Sequence, residues 1–218
     1  MPPNGLGPGD RGPLVAWAEG RLAALHYDVG VADDLFDAAT ASAVTAFQKA
    51  TGLGRSGRLA QADADALTVA EPPAPVVPNG GPDRIEIDLP RQILLLWKGG
   101  VLIKVLPVST GTGKRFCEKG HCGVAVTPAG SYRIGYRKPG WEKSPLGRMY
   151  NPMYFLVGPG IAIHGFQQVP PNPASHGCVR IPMFAAETLP GLVPDRTPVY
   201  VFDGKTPLAP IAAGGPQT

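Results

Sequence analysis

Ile163-His164-Gly165, separated by nine residues from Ser175-His176-Gly177-Cys178-Val179-Arg180, is the stretch from which the rest of this chain can be read. It places a histidine fourteen residues ahead of a cysteine flanked by small and hydrogen-bonding residues. A thiol attacks an acyl carbon as the thiolate, so a reactive cysteine needs a base or a cation beside it, and a histidine on a neighbouring strand supplies one. Cys178 is therefore the candidate nucleophile and His164 its candidate base. Gly177 allows a tight turn, so the amides of Gly177 and Cys178 are expected to converge on a developing oxyanion. Gly165 leaves a carbonyl open to hold the second imidazole nitrogen in one tautomer without any carboxylate. A papain-like enzyme would have the reverse order, cysteine early and histidine far downstream.

Around this centre the pattern is that of strands. Gly158-Pro159-Gly160 turns the chain into Ile161-Ala162-Ile163, which delivers His164. Beyond Arg180 a short helix is expected over 183–189 and a last strand over 197–202. Upstream, Ile85-Glu86-Ile87-Asp88-Leu89 alternates, 92–97 is an apolar run, and Lys98-Gly99-Gly100 turns it into a returning strand over 101–108. A hairpin is the economical reading.

These residues resemble the L,D-transpeptidase, or YkuD-type, catalytic domain. Its signature is a histidine, a spacer, then Ser/Thr-(His)-Gly-Cys-hydrophobic-Arg/Asn. Asp88-Leu89-Pro90, Gln92, Pro107-Val108-Ser109-Thr110-Gly111 and Thr127-Pro128-Ala129-Gly130-Ser131-Tyr132-Arg133-Ile134 fall in the family's order too. The resemblance covers about 85–203 and implies a mainly β, sandwich-like catalytic domain, bounded here at 83–203. It implies that Cys178 accepts the acyl group, His164 acts as base and the Gly165 carbonyl orients it. Ser175, His176 and Gly177 match the residues shaping the oxyanion pocket, His176 either tuning the thiolate or packing under the pocket. Arg180 closes the motif as a substrate-binding residue, and the short loop 166–174 would form an abbreviated substrate wall. Tyr150 and Met153 are candidate wall residues for a peptide stem, with a core role as the alternative.

Residues 5–70 read as a small all-α domain of three helices. Leu14, Trp17/Ala18, Arg21/Leu22 and Leu25 give one helical period, with Trp17 expected in the core; Ala43/Val44, Phe47 and Ala50 give a second, capped by Asp37 and ended by Gly52. A third helix is expected over 61–67. Tyr27 to Phe36, Thr40, Ala46-Phe47-Gln48-Lys49, Gly52-Leu53 and Gly57 resemble the three-helix peptidoglycan-binding domain. The proline-rich stretch 71–82 then reads as a linker, and 204–218 as a mobile tail.

Cys117, His121 and Cys122 together with the Cys178 group invite a zinc reading, but paired metal-ligand spacing is absent, and adjacent His121 and Cys122 would point opposite ways on a strand. No metal and no cofactor are expected. In an oxidising compartment Cys117 and Cys122 would instead form a disulfide, leaving Cys178 as the odd free thiol.

The 218 residues are 44% hydrophobic, and 29 glycines with 26 prolines make up a quarter of them. A formal charge of +3 without any Lys/Arg run argues against nucleic acid as a partner and is compatible with an anionic wall polymer. No apolar run is long enough to cross a bilayer, and the first residues lack the charged and apolar regions of a signal peptide. The resemblance implies an extracytoplasmic substrate, so an export signal is expected to be missing from this sequence. The expected partners are peptidoglycan tetrapeptide stems, as donor and acceptor, and carbapenems as inhibitors. A hydrolase using the same thiol and a non-catalytic wall-binding protein are the alternatives.

Overall fold

Pro13 pre-sets the backbone for the first turn of α1 (Pro13–Ala24), and Asp37 caps α2 (Ala38–Thr51) by accepting from the amides of Ala39 at 2.7 Å and Thr40 at 2.9 Å. Gly52, with φ 76°, ends α2, and α3 (Gln61–Val69) completes the helical part. This computed structural model describes residues 1–211. The first helix buries Ala18, Leu22 and Leu25 of the expected period, but Val15 and Glu19 also face inward while Leu14 and Trp17 are exposed. Glu19 is held inside by hydrogen bonds. Its buried carboxylate accepts from the Asp34 amide at 3.0 Å and the Thr40 hydroxyl at 2.7 Å, which ties α1 to α2.

The rest is mainly β. Strands β1 (Arg84–Asp88), β2 (Ile93–Lys98) and β3 (Val101–Pro107) form a meander, and β4 (Arg115–Glu118) with β5 (His121–Val124) forms a separate hairpin. Next come β6 (Gly130–Arg133), β7 (Trp141–Ser144), β8 (Gly147–Leu156), β9 (Ile161–Phe166), β10 (Val179–Pro182), α4 (Met183–Leu192) and β11 (Pro198–Phe202). One sheet has the order β3-β2-β1-β11-β6 and the other β10-β9-β8-β7, with β1–β11 and β9–β10 parallel. Their inner faces share one core with α4, including Ile87, Leu94, Val201, Phe155, Ile163, Ile181 and Leu189.

The outer face of the first sheet is also buried, under the helices. Along β2, Leu94 and Leu96 enter the core between the sheets, whereas Ile93 and Leu95 join Leu102, Val105, Phe47 and Val44 in a second core. A strand covered on both faces must be apolar at every position, which is why 93–96 shows no alternation. The helical part also pairs with the edge of β3: the Val105 amide donates to the His26 carbonyl at 2.7 Å, and the Asp28 amide to the Val105 carbonyl at 3.2 Å. Lys49 of α2, 1% exposed, donates to the Val108 carbonyl at 2.7 Å; burial, with Arg55 adding to it, pulls its pKa down to about 7.

The proline-rich stretch is packed rather than free. The amides of Val76 and Val77 donate to the buried Glu86 carboxylate at 2.9 and 3.2 Å, and Arg84 pairs with the same group at 2.8 Å. Of the expected mobile tail, residues 204–211 are tied down, with Ala209 accepting from the Ser131 hydroxyl at 2.9 Å and the Ile211 amide donating to the Tyr200 hydroxyl at 2.8 Å. Residues 212–218 lie outside the described residues. Among the described residues no helix is long and apolar enough to cross a membrane.

Candidate active site

Parallel pairing of β9 with β10 brings the two halves of the sequence signature together. Ile163 lies opposite Val179 and His164 opposite Arg180, so Cys178 sits at the head of β10 beside the strand that carries the histidine. Both side chains line one cavity of about 620 Å³, with Phe166, Gln167, Ser175 and His176.

His164 is 4% exposed, and its Nδ1 lies 2.9 Å from the Gly165 carbonyl. A carbonyl can only accept, so Nδ1 carries the proton and Nε2 keeps its lone pair. Burial is the main cause that lowers the His164 pKa, to about 4; Arg180 adds to it, against the Gly165 hydrogen bond. Cys178 is free and half-buried, its thiol 3.7 Å from the Gly160 carbonyl. Burial pushes this thiol up, opposed by a backbone hydrogen bond from Ala162 and by the Arg180 charge. Both shifts favour the uncharged forms, a thiol beside a neutral imidazole.

Each glycine also meets a steric requirement beyond its expected role. A Cβ on Gly165 would lie 2.7 Å from that of Ala186, so this glycine lets α4 pack against β9. Gly177 has φ 144°, and a Cβ there would lie 2.8 Å from the Val126 carbonyl. Its amide does not stand free for an oxyanion, because it donates to the Ser175 hydroxyl at 3.0 Å. The Ser175 hydroxyl in turn donates to the Cys178 carbonyl at 2.5 Å, stapling the turn from inside. Thr127 holds the turn from outside, donating to the Gly177 carbonyl at 2.6 Å and accepting from the Gly111 amide at 3.0 Å. This threonine was absent from the expected site residues, although it opens the Thr-Pro strand of the sequence signature.

His176 lines the cavity and contacts β4. Its ring centroid is 4.6 Å from that of Phe116, and Nε2 is 3.3 Å from a Glu118 carboxylate oxygen. In the β4–β5 hairpin Cys117 and Cys122 stand directly opposite, their Cα atoms 4.0 Å apart and their sulfurs at bonding distance. Among the described residues no group of three or more His, Cys, Asp or Glu side chains could hold a metal ion. Arg180 lines the cavity with its guanidinium 4.2 Å from the Phe166 ring centroid.

The expected wall residues lie elsewhere. Met153 is 1% exposed in the core between the sheets, and Tyr150 packs behind Gly165 with its ring 5.2 Å from that of Trp141. The strand changes register between Tyr150 and Met153, where Asn151 has φ 46°. This bulge breaks the alternation and turns Met153 inward, so the wall is built from Trp141, Leu146, Arg148 and Met149.

A family profile for the L,D-transpeptidase catalytic domain matches residues 82–201, and one for a peptidoglycan-binding domain matches residues 11–65. The chain belongs to the L,D-transpeptidase family. A crystal structure of the L,D-transpeptidase from Xylanimonas cellulosilytica is 35% identical and superposes with a TM-score of 0.84, over 93% of this chain and 99% of that one. An L,D-transpeptidase from Stackebrandtia nassauensis is 21% identical over 93% and 97% of the two chains, with a TM-score of 0.49. One from Mycobacterium tuberculosis is 18% identical over 56% and 58%, with a TM-score of 0.45. No curated protein sequence matches the chain. The 35% identical relative is matched over both the helical part and the transpeptidase fold, so that pairing is not peculiar to this chain.

Proposed function

We propose that this protein joins peptidoglycan stem peptides through a thioester on Cys178. The observation that carries the reading is the His164 tautomer: Nδ1–H bound to the Gly165 carbonyl leaves Nε2 as a base in the cavity that Cys178 also lines. As a donor stem enters, Nε2 takes the thiol proton and the sulfur attacks the carbonyl carbon of the third stem residue. The tetrahedral intermediate collapses, the C–N bond to the terminal D-alanine breaks, and the imidazolium returns its proton to the leaving amine. An amine of a second stem then attacks the thioester, losing a proton to His164 and releasing the thiol.

The cavity's charge supports a peptide that ends in carboxylates. Arg148 and Arg180 line it, and no Asp or Glu does among the described residues. Such a substrate places the protein outside the cytoplasm.

The test is incubation with a disaccharide-tetrapeptide and an amine-bearing acceptor stem, followed by intact mass and product analysis. A Cys178-linked acyl-enzyme and crosslinked dimer are expected. Cys178→Ala should remove both, and His164→Ala should slow acylation about 10²- to 10⁴-fold. Release of free tripeptide alone would make the protein a hydrolase, and crosslinking by Cys178→Ala would overturn the assignment. A carbapenem should add its mass once, at Cys178.

A further inference from the structure

A second groove, of about 550 Å³, lies between α2 and the catalytic part. Ser42 and Thr45 line it from the helix, Val169 and Phe184 from the other side, and Phe166 and Gln167 line both this groove and the Cys178 cavity. The two depressions thus adjoin at Phe166 and Gln167. Each is within the size range of ordinary ligand pockets.

Their chemistry differs. The catalytic cavity presents arginines and histidines, whereas the groove's one charged lining residue, Arg58, is already committed, its guanidinium donating to the carbonyls of Asn4 and Gly5, both at 3.2 Å. What remains is hydroxyl, amide, aromatic and aliphatic. The Ser42 hydroxyl, itself covered from solvent, has no hydrogen-bond partner among the described residues. A stem peptide, with its carboxylates and ammonium, finds no counter-charge here. A neutral amidosugar, with hydroxyl and acetamido edges and apolar ring faces, matches the lining.

We propose that this groove binds the glycan portion of the donor whose stem lies in the Cys178 cavity. The proposal rests on the transpeptidase reading and adds a sugar subsite built jointly by the helical and catalytic parts. Arg55 couples the two sides, donating to the Pro171 carbonyl at 3.0 Å in the loop between His164 and Cys178. Because sugar and stem are covalently joined, binding in the groove raises the effective concentration of the stem at the thiol without altering the chemistry there.

The experiment compares two donors on the full chain: a free tetrapeptide, and the same tetrapeptide on its peptidoglycan disaccharide. Acylation kcat/KM should be at least about tenfold higher for the second, the worth of one or two additional hydrogen bonds. Thr45→Trp and Val169→Trp fill the groove from opposite sides, and each should bring the ratio of the two donors close to one. Titration of the wild-type protein with stem-free peptidoglycan glycan should shift the backbone amide signals of Ser42, Thr45 and Val169. A wild-type ratio of one, or shifts produced there by free stem peptide and not by glycan, would overturn the subsite. Acylation by both donors at equal rates refutes the groove alone. Acylation by neither refutes the functional reading, and the glycan titration then decides the groove by itself.

Discussion

Deleting residues 1–82 should unfold the catalytic part instead of releasing it. The deletion uncovers Ile93, Leu95, Leu102 and Val105, each at most 4% exposed in the intact chain. At ~1.5–3 kcal/mol for each side chain returned to water, the loss is about 6–12 kcal/mol, an upper figure that is comparable with the ~5–15 kcal/mol stability of a whole domain. Further losses are the backbone pairing of His26 and Asp28 with Val105, the Lys104–Asp28 ion pair at 2.5 Å, and the Val76 and Val77 amides on Glu86. With the meander's outer face and its β3 edge open, the fragment should aggregate. The assay is expression of residues 83–218 beside the full chain, followed by size-exclusion chromatography and calorimetry. The full chain should melt in a single transition, and Leu95→Ala should lower it as a unit, by about 2–5 kcal/mol. A monomeric 83–218 fragment melting within a few degrees of the full chain, or two separate transitions in the full chain, would refute the shared-core reasoning.

Other expectations concern the site. The folded pKa of His164 lies near 4, below its ordinary 6.5, so protons bind the unfolded chain better between these values; the stability held above pH 6.5 is lost as pH falls toward 4. The loss is about 3 kcal/mol at ~1.4 kcal/mol per tenfold, and denaturation at pH 7 and pH 4 should show His164→Gln losing less than wild type by about that amount. Because the resting thiol is protonated, alkylation of Cys178 by iodoacetamide should keep rising with pH above neutrality. A plateau reached already near pH 5 would instead indicate a preformed ion pair. Gly177→Ala places a Cβ 2.8 Å from the Val126 carbonyl at φ 144°, so acylation should fall at least tenfold while circular dichroism stays native; wild-type acylation would show that the turn is not as constrained as its geometry implies. Alkylation without reductant should label one thiol, because Cys117 and Cys122 are paired; three labels after oxidation would remove the disulfide.

The parts of the fold that were legible in the sequence are those fixed locally. Asp37 and Gly52 bound α2 because capping and left-handed backbone depend on single residues, and the pair His164/Cys178 could be read because two parallel strands bring fixed positions together. Along α1 the apolar period places Ala18, Leu22 and Leu25 inside, but it does not anticipate Glu19, an acid that periodicity assigns to solvent and that is satisfied inside by Asp34 and Thr40. The wall was misassigned because alternation cannot anticipate a bulge at Asn151. A strand apolar at 93, 94, 95 and 96 implies two covered faces, and the helices supply the second cover. The neutral state of the thiol–imidazole pair depends on burial, which no spacing reveals.

Lys49 has a consequence for how such chains diversify. Its ammonium reaches the Val108 carbonyl, and the next residue, Ser109, exchanges both backbone hydrogen bonds with Arg180, two positions beyond the nucleophile. A binding module attached by a flexible tether can be exchanged by recombination at the tether, since neither partner notices the other. Here an exchange at residues 71–82 would bring a foreign surface against Ile93, Leu95, Leu102 and Val105, and would leave the Val108 carbonyl without its donor. The helices and the outer face of the meander are therefore matched surfaces, and a new pairing would have to change both together.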